Sequence, residues 1–458
     1  MIINETFIND TLEKNKNTSN NKILNSIKKA TLLEGLSYDE IASILQSNDQ
    51  EIDNALFKAA GEIKQKIYGN RVVMFAPLYI SNYCVNNCTY CGYQKCNSFT
   101  RQKLNKEEII QEVKILEKMG HKRIALEAGE DPVNCSIDYI LDAIDTIYSV
   151  KTNDGNIRRI NVNIAATTIE NYKKLKEKNI GTYILFQETY HRENYLKLHP
   201  RCLKGDYDYH LTAFDRAMEA GIDDVGGGVL FGLSNYKFEV LALMMHNAHL
   251  EEKYNVGFHT ISVPRLKPAK GMDLNEFPDL LSDYEFKKLI AIIRLAVPFT
   301  GLILSTRESI QMRKEAIHYG VSQVSAGSST GVGGYKEQEN GINVDQFDVS
   351  DHRTPLEVVK SLLDQGFIPS YCTACYRKGR TGDRFMQLAK SGNIHNVCGP
   401  NALMTLMEYI QDFGDNELKI SAEKLIFNKA NEIDNEKVKL LLIDNLNKII
   451  EGQRDLFL

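Results

Sequence analysis

The stretch "VVMFAPLYISNYCVNNCTYCGYQKC", residues 72–96, joins a strand pattern to a cluster of cysteines. Its first nine residues form an apolar run that is typical of a strand buried in a parallel sheet. Cys84, Cys88 and Cys91 then follow within eight residues. A structural zinc site needs four ligands, and the nearest downstream histidine is His121, far along the chain. The spacing therefore favours an iron-sulfur cluster in which one iron is not bound by the protein.

The composition is that of a globular protein with a small ligand. The chain has 458 residues, of which 43% are apolar, and these can fill a sizeable core. Its 55 basic and 60 acidic residues give a formal net charge of -5, and no lysine- or arginine-rich block stands out. We therefore expect no nucleic-acid partner.

The sequence predicts a cytoplasmic protein that has no membrane segment. The N-terminus lacks the charged-then-apolar pattern of a secretory signal, and the most apolar later stretch, "LIAIIRLAVPFTGLIL", is interrupted by Arg294 and Pro298. In the cytoplasm the nine cysteines stay reduced, and six of them fall in two tight groups, which indicates metal binding. The other three are interpreted as small, partly buried thiols: Cys96, Cys135 and Cys202.

Eight short apolar or β-branched runs alternate with amphipathic helical patterns between residue 71 and about residue 335. The runs are "VVMFAPLYI", "RIALEAG", "INVNIA", "TYILFQ", "DDVGGGVL", "HTISV", "GLILS" and "VSQVSAG". Eight strand-helix units predict the α/β class and a (β/α)₈ TIM-type barrel. A doubly wound open sheet is the alternative, but it gives no reason for eight units. The "GGGVL" segment lacks the lysine and spaced glycines of a phosphate loop, so it is predicted to be a close-packed strand.

Helical patterns flank the predicted barrel on both sides. We predict a helical N-terminal extension over residues 1–70, where "SYDE" forms a capping box at Ser37. The barrel is predicted over residues 71–350. Residues 351–458 are predicted to form a helical C-terminal domain, with Pro400 near the start of one helix.

The C-terminal region carries the second cysteine group. "YCTACYRKGRTGDRFMQLAKSGNIHNVC" places Cys372 and Cys375 in a C-x-x-C pair, and Cys398 follows at a distance. Three cysteines again suit a cluster with an open corner. His395 could instead complete a zinc site, and the spacing alone leaves both alternatives open.

The segment "CVNNCTYC", with the aromatic Tyr90 before its last cysteine, resembles the signature of the radical S-adenosylmethionine (SAM) enzymes. The resemblance implies that Cys84, Cys88 and Cys91 hold a 4Fe-4S cluster and that SAM chelates the open iron through its amino and carboxylate groups. Placement after the first strand of a barrel agrees with this implication.

Further SAM contacts are expected at the ends of the later strands, because barrel active sites gather there. In "EAGED", Gly129 and Glu130 resemble the glycine-acid turn that meets the methionyl ammonium in this family. Other polar residues lie where ribose and carboxylate contacts would be expected, although each could equally be a surface or capping residue. They are Asn161, Asn163, Gln187, Glu188 and Arg201.

Both cysteine groups, the barrel between them and the segment "HTISVPRLKPAKG" together resemble the HydG family of tyrosine lyases, which mature FeFe-hydrogenase. The resemblance implies cleavage of L-tyrosine at the Cα-Cβ bond to p-cresol and dehydroglycine. Dehydroglycine then supplies carbon monoxide and cyanide for the hydrogenase active site. An auxiliary cluster at Cys372, Cys375 and Cys398 would carry an extra iron, for which His259 is a candidate ligand. A reductant protein and other maturation proteins are expected as partners.

The zwitterionic substrate needs a fixed cation for its carboxylate. "LSTRE", at the end of the seventh predicted strand, offers Arg307 with Ser305 assisting. The alternative is an ion pair between Arg307 and Glu308 or another carboxylate of the barrel.

Two rival functions differ from the maturase in testable ways. A tyrosine lyase of thiazole synthesis shares the barrel and the first cysteine group but lacks the second group. An iron-sulfur carrier or scaffold without turnover has no need of eight strand ends that line a cavity.

Overall fold

One parallel sheet organises the chain. The computed structural model describes residues 2–458. Its strands are β1 (Arg71–Ser81), β2 (Arg123–Ala128), β3 (Arg159–Asn163), β4 (Tyr183–Ile184), β5 (Val225–Gly228), β6 (Thr260–Ser262), β7 (Gly301–Leu304), β8 (Gln323–Ser325) and β9 (Ile368–Ser370).

Helices precede, separate and follow these strands. Those before the sheet are α1 (Glu5–Lys14), α2 (Asn20–Ala30), α3 (Tyr38–Gln46) and α4 (Gln50–Tyr68). Those between β1 and β9 are α5 (Lys106–Lys118), α6 (Ile137–Ser149), α7 (Ile169–Glu177), α8 (Arg192–Leu198), α9 (Tyr207–Leu211), α10 (Ala213–Glu219), α11 (Tyr236–Tyr254), α12 (Asp283–Ala296), α13 (Ile310–His318), α14 (Gly334–Glu339) and α15 (Pro355–Asp364). Those after β9 are α16 (Ala374–Arg377), α17 (Gly382–Lys390), α18 (His395–Phe413), α19 (Asn416–Asn431) and α20 (Glu436–Ile450).

The first eight strands close into a barrel. They follow one another in sequence order, and β1 pairs in parallel with both β8 and β2. This closure confirms the predicted (β/α)₈ fold. The "GGGVL" segment supplies most of the buried strand β5, as predicted. It is closely packed, since a Cβ atom on Gly228 would lie 2.5 Å from the ring of Phe186.

A ninth strand extends the sheet outside the barrel. β9 pairs in parallel with the first three residues of β1, next to the position where β8 begins its own pairing. The sequence patterns of this region predict only helices. A run of three residues is too short to show the two-residue period of a strand. It also contains Pro369, and within sheets proline is largely confined to edge strands. Because Cys372 follows β9 directly, this strand brings the second cysteine group to the amino end of the barrel.

Strand β1 contributes side chains to both the core and the barrel interior. Its even-numbered residues are fully buried in the hydrophobic core: Val72, Met74, Ala76, Leu78 and Ile80. Alternate side chains of a strand point to opposite faces, so its odd-numbered residues face the interior. They run from Arg71 at the amino end to Tyr79, about 26 Å further along the strand at about 3.3 Å per residue.

Helices α1 to α4 pack against α11 and α12 on the outside of the barrel. The predicted capping box is confirmed, since Ser37 and Glu40 exchange hydrogen bonds at the start of α3. Pro400 lies inside α18, which begins at His395, earlier than the sequence pattern indicates. The boundaries at residues 70 and 350 stay predictions. Over residues 2–458 no helix is both long and apolar enough to cross a membrane.

A buried ion pair connects α4 and α12. The Lys288 ammonium lies 3.1 Å from the Asp53 carboxylate, and only 1% and 2% of the two side chains are exposed. Tyr284 also donates a hydrogen bond to Asp53. The charge of each partner is therefore compensated mainly by the other, away from water.

We predict that Asp53→Asn lowers the free energy of unfolding by about 3 kcal/mol, because it leaves the Lys288 charge buried without its counter-ion. Urea denaturation of the purified apoprotein measures this change. The control is Glu193→Gln, whose pair with Lys197 is 71% and 67% exposed, and a loss below about 0.5 kcal/mol is expected there. Equal losses in the two variants would contradict the structural importance of the buried pair.

Candidate functional site

A cavity of about 280 Å³ opens at the carboxyl ends of the barrel strands. The loop that follows β1 brings Cys84, Cys88 and Cys91 to its wall. The carboxyl ends of β2, β3, β6 and β7 supply other parts of the lining. This is the face at which barrel enzymes place their active sites.

The end of β2 holds the cysteine loop in place. The Gly129 amide donates to the Ser81 carbonyl over 3.0 Å, and the Val85 amide donates to the Glu130 carbonyl over 2.8 Å. A Cβ atom on Gly129 would lie 2.3 Å from the carbonyl oxygen of Tyr83. Only glycine therefore permits this close approach of β2 to the loop.

The thiols of this loop suit a metal cluster. Burial raises the pKa of Cys84, and it raises the pKa of Cys91 to about 11. Gln346 and the Tyr93 amide donate hydrogen bonds to the Cys91 sulfur over 3.2 and 3.4 Å. Buried thiolates need nearby positive charge, which iron supplies, and N–H donors to sulfur are typical of cluster sites. The residues therefore fit the cluster that the sequence implies.

Several predicted SAM residues line the same cavity: Tyr90, Gly129, Glu130, Asn163 and Glu188. Glu130 accepts a hydrogen bond from Asn86 over 2.5 Å, and burial raises the pKa of its carboxyl group. Glu188 forms an ion pair of 2.5 Å with Lys204.

Tyr90 is fixed by a buried histidine. His199 donates from Nδ1 to the Tyr195 carbonyl over 2.7 Å, so its Nε2 is free to accept from the Tyr90 hydroxyl over 2.7 Å. Burial lowers the pKa of His199 to about 3, which keeps the ring neutral and this polarity unchanged.

Three other predicted residues lie away from the cavity wall. Asn161 is buried two residues before Asn163 on β3, where its side-chain oxygen accepts from the Thr182 amide. Gln187 is buried, and its side-chain nitrogen has no partner within residues 2–458. Arg201 is exposed on the loop after α8. The roles of these side chains stay predictions.

The guanidinium of Arg307 faces the cavity without a carboxylate partner among the described residues, and Ser305 lines the cavity beside it. Arg307 stacks over the Phe347 ring at 3.5 Å. Glu308, the alternative partner considered from the sequence, instead pairs with Arg265, which donates from Nε over 3.0 Å. Burial lowers the pKa of Arg307. The cation is therefore available to an anionic group in the cavity.

Several residues of this site were not predicted from the sequence. Glu127, Lys204 and Tyr79 line the cavity, and Cys88 donates a hydrogen bond to Cys202. Strand position could have indicated Tyr79 and Glu127, since each lies near the carboxyl end of a predicted strand. Lys204 lies in a short 3₁₀ helix (Leu203–Gly205) that Cys202 precedes, and the sequence carries no comparable signal for either residue.

A second cavity, of about 70 Å³, lies at the amino ends of the strands. Cys372, Cys375 and Cys398 line it together, although 22 residues separate the last two in sequence. Burial raises the pKa of Cys372. Cys375 donates a hydrogen bond to Cys398, and this bond lowers the pKa of the Cys398 thiol.

Arginine side chains surround the second cysteine group. Arg71, Arg123 and Arg380 line the same cavity. Arg71 and Arg380 also lower the pKa of Cys398, after the hydrogen bond from Cys375. These cations fit thiolates and other anionic ligands of a metal centre.

His259 lines the second cavity at the amino end of β6. Its buried Nδ1 has no hydrogen-bond partner within residues 2–458, and neither carboxylate oxygen of nearby Asp224 has one either. The Nε2 atom lies 3.9 Å from Asp224. By contrast, His395 is exposed, and its Nε2 contacts the Lys66 carbonyl at 2.6 Å, so the zinc alternative has no support here. No three His, Cys, Asp or Glu side chains of residues 2–458 converge as a single-ion site.

Comparison with known protein families divides the barrel into two matched segments. Residues 78–245 match the Radical SAM superfamily, and residues 262–368 match the Biotin and Thiamin Synthesis associated domain. The radical SAM match implies a 4Fe-4S cluster and SAM at the first cysteine group.

Individual relatives extend the match to the whole chain. The 2-iminoacetate synthase of Salmonella typhimurium is 30% identical over 351 residues, which are 76% of this chain and 90% of that protein. A crystal structure of HydG, a maturase of the FeFe-hydrogenase, has 56% identity and a TM-score of 0.97, with 100% of both chains covered. HydG from Carboxydothermus hydrogenoformans has 38% identity and a TM-score of 0.82, with 96% of this chain and 98% of that one covered. The chain therefore belongs to the radical SAM superfamily and, within it, to the HydG family of FeFe-hydrogenase maturases.

Proposed function

We propose that the protein cleaves L-tyrosine at the Cα-Cβ bond to p-cresol and dehydroglycine, and converts dehydroglycine to carbon monoxide and cyanide for the hydrogenase active site. The observation that carries this proposal is the presence of two three-cysteine cavities at opposite ends of one barrel. A carrier protein would need neither the first cavity nor its unpaired guanidinium.

At the first cavity, Cys84, Cys88 and Cys91 would hold the 4Fe-4S cluster. Glu130, Asn163 and Glu188 line the wall where SAM would bind. The cluster and SAM, when bound, supply a 5'-deoxyadenosyl radical that abstracts hydrogen from the tyrosine amino group. The protein's part is to bind the substrate in one orientation and to exclude water from the cavity.

Arg307 is proposed to bind the tyrosine carboxylate, with Ser305 assisting. The Ser305 hydroxyl accepts from the Arg307 amide over 3.4 Å, which positions both groups on one turn. The aromatic face of Phe347 restrains the guanidinium, so less side-chain entropy is lost when the carboxylate binds.

The second cavity is proposed to hold the auxiliary cluster on Cys372, Cys375 and Cys398. His259 is the proposed protein ligand of an extra iron there, and the support is its unpartnered, buried Nδ1. Asp224 can orient the other ring nitrogen. Inward-facing residues of β1 line both cavities, with Arg71 and Val73 at the second and Phe75, Pro77 and Tyr79 at the first.

The resemblance to 2-iminoacetate synthase leaves the tyrosine lyase of thiazole synthesis as the second candidate. It covers 76% of this chain, whereas the resemblance to the HydG structure covers 100%. The second cysteine cavity favours the maturase. We further propose a cytoplasmic location, a reductant protein as electron donor and other maturation proteins as acceptors of the product.

We predict that Cys372→Ala with Cys375→Ala preserves p-cresol formation but lowers carbon monoxide release at least about tenfold, because scission needs only the first cavity. Chromatography of p-cresol and deoxyadenosine, with a haemoglobin assay for carbon monoxide, measures the two steps on anaerobically reconstituted protein. Cys96→Ala is the control and should leave both products unchanged, since that thiol is exposed and not partly buried as the sequence predicted. Loss of p-cresol in a double mutant that retains its first cluster would contradict the proposed division of labour.

We predict that Arg307→Gln raises the KM for tyrosine at least about tenfold, because the bound carboxylate loses a charge-assisted hydrogen bond. The electron paramagnetic resonance change on adding SAM should remain, since Arg307 is not expected to contact the cluster. Arg384→Gln, at an exposed position on α17, is the matched control. An unchanged KM in Arg307→Gln would remove Arg307 from the substrate site.

We predict that His259→Ala retains normal deoxyadenosine and p-cresol yields but abolishes iron-carbonyl bands in stopped-flow infrared spectra, because one iron loses its protein ligand. His318→Ala, on the exposed side of α13, should keep the bands. If His259 merely braces β6, the bands will persist in its variant at the intensity of the unmodified protein.

A further inference from the structure

Three carboxylates line the first cavity, and two of them already have a role or a partner. Glu130 accepts from Asn86 at 2.5 Å, and Glu188 pairs with Lys204 at 2.5 Å. Glu127 receives a single hydrogen bond, from the neutral amide of Asn163 over 2.7 Å. No cation of residues 2–458 forms an ion pair with it.

Among the cations of the cavity, only Arg307 lacks a carboxylate partner within the described residues. Lys204 is paired with Glu188, and Lys267 lies 3.9 Å from Glu308. One carboxylate and one guanidinium thus share this cavity without neutralising each other, although each influences the charge of the other. An α-amino acid carries the complementary charges, an ammonium and a carboxylate, on two groups attached to the same carbon.

The sheet register fixes Glu127 within the cavity. Tyr79 of β1 pairs with Glu127 of β2, which in turn pairs with Asn163 of β3, so the three side chains form one row. All three line the cavity. Tyr93, on the cysteine loop, also lies near this row, and the charge of Glu127 contributes to the raised pKa of its phenol. The groups that face the carboxylate are therefore two phenols, one amide and the Arg307 cation.

We propose that Glu127 binds the α-ammonium group of the substrate and accepts one of its protons. This inference rests on the proposed function, because it takes tyrosine as the substrate. Arg307 holds the carboxylate of the amino acid, and Glu127 holds its nitrogen. The two contacts together fix the orientation of the nitrogen from which hydrogen is abstracted.

The proton transfer balances without any further reactant. The ammonium gives one proton to the Glu127 carboxylate, which leaves a neutral amine and a neutral carboxylic acid, and no electrons move. Abstraction of a hydrogen atom from the neutral amine then creates no additional cation beside Arg307. Burial raises the pKa of Glu127 to about 8, which brings its proton affinity near that of an amine. The hydrogen bond from the Asn163 amide favours the carboxylate form, which is the form that accepts the proton.

The test compares Glu127→Gln with the unmodified holoprotein for two ligands, L-tyrosine and 3-(4-hydroxyphenyl)propionate. The second ligand keeps the phenol and the carboxylate but lacks the amino group. Equilibrium binding to the reconstituted protein in the presence of SAM should weaken at least about tenfold for tyrosine and less than about twofold for the propionate. Glu436→Gln, whose carboxylate is 72% exposed on α20, is the matched control.

The pH profile provides a readout that a purely structural role would not change. In the unmodified protein, kcat/KM for p-cresol should rise with pH through a pKa near 8, because only the carboxylate form accepts the ammonium proton. In Glu127→Gln, this rise of kcat/KM on the acid side of the profile, called the acid limb below, should be absent. The response of the first cluster to SAM should persist in the variant and shows that the site is assembled.

Equal weakening of both ligands, unchanged tyrosine affinity, or an unchanged acid limb in a SAM-responsive variant would each overturn the role of Glu127. Failure of the unmodified protein to form p-cresol from tyrosine would instead overturn the proposed function. The two failures are therefore distinguishable.

If Glu127→Gln does not fold, Glu127→Asp provides the second variant. It keeps the charge but shortens the reach, so tyrosine affinity and turnover should fall while the acid limb remains. Loss of that limb in Glu127→Asp would also overturn the assignment.

Discussion

The alternation of side chains along β1 is the constraint on which both cavities depend. Its even positions fill the core and its odd positions face the barrel interior, from Arg71 at one end to Tyr79 at the other. A slip of one residue would turn Met74 into the interior and drive Arg71 into the apolar layer beneath the helices. The hydrophobic core therefore fixes the register, and the register fixes the positions of both cysteine groups relative to each other.

The two cysteine groups lie in different electrostatic surroundings. At the first group, burial raises the pKa of Cys91 to about 11, and the Lys204 charge opposes that rise. At the second group, Arg71 and Arg380 stabilise the thiolate form of Cys398 in addition to its bond with Cys375. A cationic wall suits a centre that gathers anionic ligands, among which cyanide would be one. The first cavity carries both signs of charge, with the carboxylates Glu127, Glu130 and Glu188 and the cations Lys204 and Arg307 in its lining.

The sequence predicts the features that are encoded over short stretches. Eight apolar runs of strand length predict the barrel, and close spacing marks the first cysteine group and the pair Cys372 and Cys375, whereas 22 residues separate Cys398 from that pair. Strand β9 could not be predicted, because its three residues acquire a partner only when they meet Arg71 on a strand far away in sequence. The row formed by Tyr79, Glu127 and Asn163 depends on register between strands, which no single stretch contains. Arg307 was predicted from its strand position, but only the pairing of Glu308 with Arg265 leaves it free for a ligand.

Unpaired charges inside a cavity are costly, because a protein's stability is a small difference between large terms. Such groups persist where a ligand completes their interactions, and they break the pattern of mutual satisfaction found elsewhere in the molecule. The buried pair of Asp53 and Lys288 shows how this chain treats structural charges, which meet each other directly. Glu127 and Arg307 do not. The raised pKa of Glu127 reduces the cost, since the group can remain protonated until a cation enters. The fold thus separates the paired charges that stabilise it, such as Asp53 and Lys288, from two cavity charges that have no partner among the described residues and that we propose to bind a zwitterionic amino acid.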